Sequence, residues 1–120
     1  YEWCYQGVRR GDEMTDDGLM ISTNHYVHRS WDFTVPSDKD SWDSISRRCN
    51  LEKRAREYRG RFDVSTMKKV MSAPIEEGGP KHLPTRYQIV AVPEDMTLHI
   101  NIPYNNGWTE INLRNYFSKE

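Results

Sequence analysis

A chain of 120 residues, of which 36% are hydrophobic, 12% aromatic and 29% charged, has the size and composition of one globular domain or of a portion of a larger one. Seventeen basic and eighteen acidic residues give a net charge of −1, which excludes the strong positive charge typical of nucleic-acid binding and the composition of a disordered chain. No apolar segment is long enough to span a bilayer, so we expect a soluble protein with neither nucleic acid nor membrane as a partner; the sequence does not identify the compartment, and the cytoplasm is slightly favoured.

The first third of the chain predicts two strands and a long loop. Residues 1–10 (YEWCYQGVRR) and residues 19–27 (LMISTNHYV) are both rich in aromatic and β-branched residues and predict strands. The segment between them is dense in Asp and Gly and marks a turn, so the two strands are predicted to pair as a hairpin. Residues 30–43 contain Pro36 and predict an irregular loop, of the kind that often covers a site.

A helix is predicted to begin at Asp43 or Ser44, because a short polar side chain can accept a hydrogen bond from the first free amides of a helix. It is predicted to end near Gly60. At helical spacing one face carries Arg47, Leu51, Ala55 and Tyr58. Arg47 therefore shares the apolar side of the helix, which predicts an inward guanidinium with a partner. Arg54 falls near the same line, so the spacing does not single out Arg47.

The second half of the chain predicts another helix and an antiparallel sheet. The helix begins after Ser65, has a packed face of Met67, Val70 and Met71, and is stopped by Pro74. Residues 85–103 alternate between apolar and polar on both sides of a Pro-Glu-Asp turn, which predicts a hairpin. Asn106-Gly107 marks a further turn before residues 108–117 (WTEINLRNYF). The order of elements predicts an α+β fold with an antiparallel sheet.

Neither the cysteines nor the histidines form a metal-binding pattern. Cys4 and Cys49 lack CxxC spacing, so we expect two buried free thiols, with a disulfide left open. His25 and His28, with Asp32 nearby, invite a metal hypothesis, but their spacing does not suit a strand. Zinc sites require three or four ligands in a defined geometry. We therefore expect no metal and no other cofactor.

Four segments, taken together and in order, resemble a known family. They are GLMISTNHYV (18–27), SISRRCNLEK (44–53), FDVSTMKKVMSAP (62–74) and TRYQIVAVPEDMTLHINIP (85–103). Their succession resembles the carboxy-terminal half of the N-terminal-nucleophile (Ntn) hydrolases that include choloylglycine hydrolases, penicillin V acylases and acyl-coenzyme A:6-aminopenicillanate acyltransferases. The resemblance implies an antiparallel sheet packed on two helices, as part of an αββα sandwich. Residues 1–120 would then be a single domain or the carboxy-terminal portion of a larger Ntn-hydrolase domain.

The resemblance also implies a chemistry. In this family a Cys freed at the amino terminus by autocatalytic cleavage attacks a linear amide, and its own α-amine acts as the base. Asn24 matches the family Asn that helps to build the oxyanion pocket, and the Thr-Asn-His that contains it is most similar to the acyltransferase branch. Arg47 matches the helix Arg that supports the site or its charged ligand, and Arg48 is the alternative if the register is shifted by one. We expect Asn24 and Arg47 to converge on one cavity.

The nucleophile of the family has no counterpart in these residues. Tyr1 cannot act in this way, and Cys4 lies within a strand pattern. The resemblance therefore predicts a partner, namely an amino-terminal chain or segment that carries the nucleophilic Cys, and a small-molecule amide substrate. The chain alone is expected to be inactive, and homo-oligomerisation is left open.

Aromatic residues supply the candidates for binding the acyl group, because such pockets are mostly apolar. Trp31 and Phe33, in the loop after the Asn24 strand, are the substrate-binding candidates, whereas core packing is expected for most of the tryptophans. Simpler roles compete with the catalytic ones: Asn24 as a turn-capping residue and Arg47 as a surface charge. The alternative function is a small non-catalytic α+β binding or interaction module.

Overall fold

The computed structural model describes residues 2–4, 7–9, 20–23, 42–102 and 107–117. Within these residues the fold is α+β, as the order of elements predicts. The elements are β1 (Glu2–Cys4), β2 (Gly7–Arg9), α1 (Ser44–Glu57), α2 (Val64–Ser72), β3 (Gln88–Val92), β4 (Thr97–Ile102), β5 (Gly107–Asn112) and the short α3 (Arg114–Phe117). Strands β3, β4 and β5 form an antiparallel sheet in that order, and β1 pairs with β2 in a separate ladder.

The amino-terminal hairpin differs from the predicted one. Residues 1–10 do not contain one strand but two, which pair antiparallel with Glu2 opposite Arg9 and Cys4 opposite Gly7. Met20–Thr23, the described part of the second predicted strand, belongs to no strand. The local pairing closes a much shorter loop than a hairpin between residues 1–10 and 19–27 would, and loop-closure entropy favours it.

Helix α1 begins at Ser44, as predicted, but its first turn is not capped in the predicted way. Asp43 has a left-handed backbone conformation, and its side chain makes no capping hydrogen bond. The helix ends at Glu57, and the chain then turns through Gly60, which has a positive φ of 70°. The predicted end at Gly60 is therefore confirmed to within three residues.

Helix α2 begins two residues before the predicted start, because Asp63 caps it. The Asp63 Oδ1 atom accepts a hydrogen bond from the backbone amide of Thr66 at 2.6 Å. Val70 is the buried residue of this helix, and Ala73 is already extended before Pro74, so the predicted stop is confirmed.

The loop between α2 and β3 is held against α1 by side chains of that helix. Asn50 Nδ2 donates to the carbonyl oxygens of Ile75 and Gly79, at 3.2 and 2.9 Å. Arg54 donates to the Gly78 carbonyl oxygen at 3.2 Å. Gly79 approaches the chain so closely that an added Cβ would lie 2.0 Å from the Ala73 carbonyl oxygen, so a larger residue cannot be accommodated there without a backbone shift.

The two faces of the β3–β4–β5 sheet have different chemistry. Side chains alternate between faces along a strand, and directly paired residues share a face. The face covered by α2 buries the polar residues Gln88, His99 and Asn101 together with Val90. The opposite face is apolar and carries Ile89, Ala91, Leu98, Ile100, Ile102 and Ile111, with Thr109 at its edge. We call it the apolar face; Ile89 and Ile102 on it are each 45% exposed.

The buried polar residues are linked to α2 by hydrogen bonds. Gln88 Nε2 donates to the Met71 carbonyl oxygen in the last turn of α2, where a helix has carbonyl groups without intrahelical partners. Asn101 Nδ2 donates to Gln88 Oε1 at 2.9 Å, and Trp108 Nε1 donates to the Ser72 hydroxyl at 3.0 Å. These bonds fix the position of the sheet relative to α2.

The Asn101–Gln88 bond gives a first prediction. Asn101→Ala leaves the buried Gln88 Oε1 without its donor, so we expect a loss of about 1–3 kcal/mol in the free energy of unfolding, measured by urea denaturation. Asn115→Ala, in exposed α3, is the matched control and should change stability by less than about 0.5 kcal/mol. Equal effects of the two substitutions would contradict the role assigned to the buried bond.

Candidate functional site

The amino-terminal end of α1 holds two consecutive residues in a costly backbone conformation. Trp42 and Asp43 have φ values of 59° and 54°, in the left-handed region that non-glycine residues rarely adopt. Such residues cost of order 1–3 kcal/mol each and persist only where their surroundings hold them; they are concentrated at functional sites. The next residue, Ser44, is completely buried and anchors the turn to the molecule.

Arg47 is the residue that holds this turn. Its Nε atom donates to the Trp42 carbonyl oxygen at 2.9 Å, and its backbone amide donates to the Asp43 carbonyl oxygen at 2.8 Å. The guanidinium has a partner, as the helical spacing predicts, but this hydrogen bond is exposed and the residue is only partly buried, so Arg47 is not inward. Arg47 thus has a defined position at the end of α1 where the strained turn lies.

Arg48, the alternative candidate, connects α1 to the segment that precedes Asn24 in the sequence. Its side chain is 15% exposed and its Nε atom lies 2.9 Å from Glu52 Oε1. Its Nη1 atom donates to the Ile21 carbonyl oxygen. Asn24 itself lies outside the described residues, as do the two substrate-binding candidates, Trp31 and Phe33, and the histidines of the metal hypothesis, His25 and His28.

His82 lies at the same end of α1 and was not predicted as a site residue. Its Nδ1 atom is 2.9 Å from the Thr85 hydroxyl, which also accepts from the His82 backbone amide at 3.2 Å. The Trp42 indole packs against the imidazole in an edge-to-face arrangement, with ring centroids 6.3 Å apart. The contact joins residues 40 positions apart, and no local sequence pattern indicates it.

The pKa of His82 is lowered from its ordinary value of 6.5, first by burial of the ring and then by the positive charge of Arg47, against an opposing effect of Asp43. The imidazole is therefore neutral at neutral pH. Trp42, Asp43, Arg47 and His82 form one site, which we call the α1 turn site. It combines an indole, a neutral imidazole and a fixed guanidinium.

A cleft lies near the other end of α1. The cleft has a volume of about 340 Å³. Its lining residues are Arg54, Tyr58, Lys69, Val70, Ser72, Ala73, Pro74 and Glu77. Arg54 is already bonded to the Glu57 carboxylate at 3.0 Å and to the Glu77 carbonyl oxygen at 2.8 Å. Its guanidinium is thus committed to holding the loop.

His99 is a buried imidazole away from the α1 turn site. Within the described part of the chain its Nδ1 atom has no hydrogen-bond partner, and the Glu110 Oε2 atom is 3.7 Å away. That distance is too long for a hydrogen bond. The residue lies on the face of the sheet that α2 covers.

Cys49 is free, as predicted, but the predicted burial is wrong: its side chain is exposed, because its position on α1 points away from the packed side. The side chain of Cys4 lies outside the described residues. Over the described ranges no group of three or more His, Cys, Asp or Glu residues could hold a metal ion, and no helix has the length and apolar character required to cross a membrane.

Comparison of the chain with models of protein families, with curated proteins and with solved structures found no match in any of the three.

The lowered pKa of His82 gives a second prediction. Above about pH 6.5 the ring is neutral in both the folded and the unfolded chain. As pH falls below that value the unfolded chain binds a proton before the folded chain does, so stability decreases until the lower folded pKa is passed. His82→Asn removes this titration, and its thermal midpoint should fall less than that of the wild type between about pH 7 and pH 5.

Thr85→Val is the matched control for this measurement. It removes the hydroxyl that His82 contacts and keeps the imidazole, so the variant should be less stable at every pH but retain the wild-type dependence on acid. Parallel curves for the wild type and His82→Asn, followed by circular dichroism, would contradict the assignment.

Proposed function

We propose that this chain is a portion of an Ntn amidohydrolase or acyltransferase that cleaves linear carbon–nitrogen amide bonds through a Cys acyl-enzyme. The nucleophile is supplied by an amino-terminal chain or segment beginning with Cys. The proposal starts from the resemblance of the four ordered segments to that family. The observation that carries it further is the unequal chemistry of the two sheet faces, with α2 on the polar face and the apolar face only partly covered, since Ile89 and Ile102 are exposed whereas Leu98, Ile100 and Ile111 are partly buried.

An exposed apolar sheet face is what half of an αββα sandwich requires. In a sandwich the two sheets bury their inner faces against each other and carry helices on the outer faces. Here α2 packs on one face, through Gln88 and Trp108, while Ile89 and Ile102 of the other are each 45% exposed. Large apolar patches rarely stay uncovered on a complete monomeric domain. The partly exposed apolar face therefore favours the sandwich over a self-contained binding module, for which a covered sheet is expected.

The proposed active site brings residues of this chain to a thiolate from the partner. Asn24 donates to the oxyanion, and Arg47 orients the site or binds a substrate carboxylate. Trp31 and Phe33 contact the acyl group. Support comes from the α1 end, where Arg47 is held in place and the neighbouring Arg48 binds the carbonyl of Ile21, three positions before Asn24 in the sequence.

The reaction proceeds in two steps, acylation of the Cys and transfer of the acyl group from it. The Cys thiolate attacks the amide carbonyl carbon, and the resulting oxyanion is stabilised by Asn24. The carbon–nitrogen bond then breaks, and the leaving amine takes a proton from the α-ammonium group that received the thiol proton. Water or an acceptor amine attacks the acyl-enzyme, loses a proton to the same α-amine, and releases the thiol with the acid or the new amide.

The third prediction tests Asn24. In the complex of this chain with its Cys-bearing partner, Asn24→Ala should lower kcat by about 10²–10³-fold, because a preorganised oxyanion donor is lost. Amine release from penicillin V and from choloylglycine measures the rate. Asn115→Ala, in exposed α3, controls for a general effect of losing an amide side chain and should leave the rate unchanged. A kcat of Asn24→Ala equal to that of the control would remove Asn24 from the mechanism.

The existence of the partner is tested separately. Intact mass spectrometry under denaturing conditions, with amino-terminal sequencing, should reveal a second polypeptide that begins with Cys in the sample purified from its source. A single species that is a stable monomer by light scattering would contradict the proposal and support the non-catalytic module. A single species that forms a dimer would indicate that a second copy covers the apolar face instead.

A further inference from the structure

The cleft near the carboxy-terminal end of α1 lies in a strongly basic part of the chain. Residues 53–69 contain seven Lys and Arg residues and two Asp and Glu residues, whereas the whole chain has a net charge of −1. Lys53, Arg56, Arg59 and Lys69 are exposed on this part of the surface. Charges of one sign beside a concave surface raise the local concentration of ions of the opposite sign. The cleft therefore favours an anionic ligand.

Two cations lie in the wall of the cleft itself. Arg54 and Lys69 each bring a positive charge, and Glu77 brings one negative charge. Three N–H groups of Arg54 are used, one by the Glu57 carboxylate and two by backbone carbonyls of the loop. A guanidinium has five N–H donors, so two remain in a fixed orientation. The ion pairs among the described residues do not include Lys69, so its ammonium group is left for a ligand.

The end of α2 adds a hydroxyl donor to the lining. The Ser72 hydroxyl oxygen accepts from Trp108 Nε1 at 3.0 Å, which leaves its own hydrogen for another acceptor. The carboxy-terminal end of a helix is partly negative and would repel an anion. At this end, however, the carbonyl oxygens of Met71 and Ala73 already accept hydrogen bonds from the sheet and the loop. The repulsion is therefore reduced where the two cations lie.

The remainder of the lining is apolar and sets the size of the ligand. Val70, Ala73 and Pro74 contribute aliphatic surface, and Tyr58 lies beside them. The volume of about 340 Å³ is at the lower end of the range of small-molecule sites, roughly 300–1,000 Å³. A phosphate monoester carries nearly two negative charges at neutral pH and three acceptor oxygens, which match two cations and a hydroxyl. An apolar group on that phosphate would cover the aliphatic surface.

We propose that the cleft binds a phosphate monoester that carries a small apolar group. The phosphate contacts Arg54, Lys69 and Ser72, and the apolar group packs on Val70 and Pro74. The site lies at the opposite end of α1 from Arg47, so it does not depend on the proposed amide cleavage.

Isothermal titration calorimetry of the full chain with phenyl phosphate tests the site. Lys69→Gln removes one of the two cations and should weaken binding by about two- to fivefold. Glu77→Gln removes the opposing charge and should strengthen binding by a similar factor. Lys68→Gln is the matched control, because it makes the same change of net charge at a residue that does not line the cleft and whose Nζ atom lies 5.9 Å from the Trp108 ring centroid. It should leave the affinity unchanged.

Two further probes separate the two parts of the ligand, and circular dichroism checks that each variant is folded. Inorganic phosphate and phenol should both bind more weakly than phenyl phosphate. Phenol that binds equally well would contradict the phosphate contact, and inorganic phosphate that binds equally well would contradict the apolar contact. The site would be overturned if Lys68→Gln and Lys69→Gln weakened binding equally, or if phenyl phosphate did not bind.

Vesicles distinguish a soluble phosphate monoester from a lipid head group with the same chemistry. Phosphatidylcholine vesicles that contain phosphatidic acid present a phosphate monoester on a membrane, and vesicles of phosphatidylcholine alone are the control. Cosedimentation of the chain with the first vesicles only, reduced in Lys69→Gln, would identify the lipid as the source. Binding of phenyl phosphate without cosedimentation would identify a soluble ligand. Either result supports the phosphate contact, whereas equal cosedimentation of the two lysine variants would contradict it.

Discussion

The described fold depends on the hydrogen bonds that Gln88 makes in the layer between α2 and the sheet. Its amide donates to the Met71 carbonyl at the end of α2 and accepts from Asn101 on the neighbouring strand. Buried amides that lose such partners are strongly destabilising, so the helix can pack only on the face that carries these two residues. Because strand side chains alternate with a period of two, that choice also assigns the isoleucines to the opposite face. One buried polar contact thereby determines which surface of the sheet is left to be covered.

Similar hydrogen bonds at the two ends of α1 have different consequences. In both places an arginine binds a backbone carbonyl: Arg54 holds the loop through Gly78, and Arg47 holds the turn through Trp42. At the carboxy-terminal end of α1, Arg54 stabilises a loop in which Gly78 adopts a positive φ that glycine tolerates. At the amino-terminal end of α1 the same kind of bond holds Trp42, a residue that does not easily adopt a positive φ, and keeps its aromatic ring at the surface. The difference in residue type is what distinguishes a structural contact from a candidate site.

Local patterns predicted the two longer helices, α1 and α2, and the β3–β4 hairpin. The alternation of residues 85–103 predicted the β3–β4 hairpin, and Ser44 and Pro74 marked a helix start and a helix end. What the sequence did not reveal depends on contacts between distant residues. The alternation alone could not show that the face carrying Gln88 would be the covered one, and the packing of Trp42 on His82 crosses 40 positions of sequence. The prediction for the first ten residues was wrong for another reason. Composition indicates that a segment forms a strand, but it does not show where the strand folds back on itself.

In Arg47 the observed structural role coincides with the functional role that we propose. Its Nε atom is committed to the Trp42 carbonyl, so the planar guanidinium is held in one orientation before any ligand arrives. A group fixed in this way loses little entropy on binding, which is the advantage that preorganisation gives to catalytic and binding sites. The same bond means that removing Arg47 also releases the strained turn and the indole that it presents. Loss of function in an Arg47 variant therefore would not by itself assign a charge contact with substrate; Arg47→Lys, which retains the positive charge but lacks the planar Nε donor, separates the charge from the positioning of Trp42.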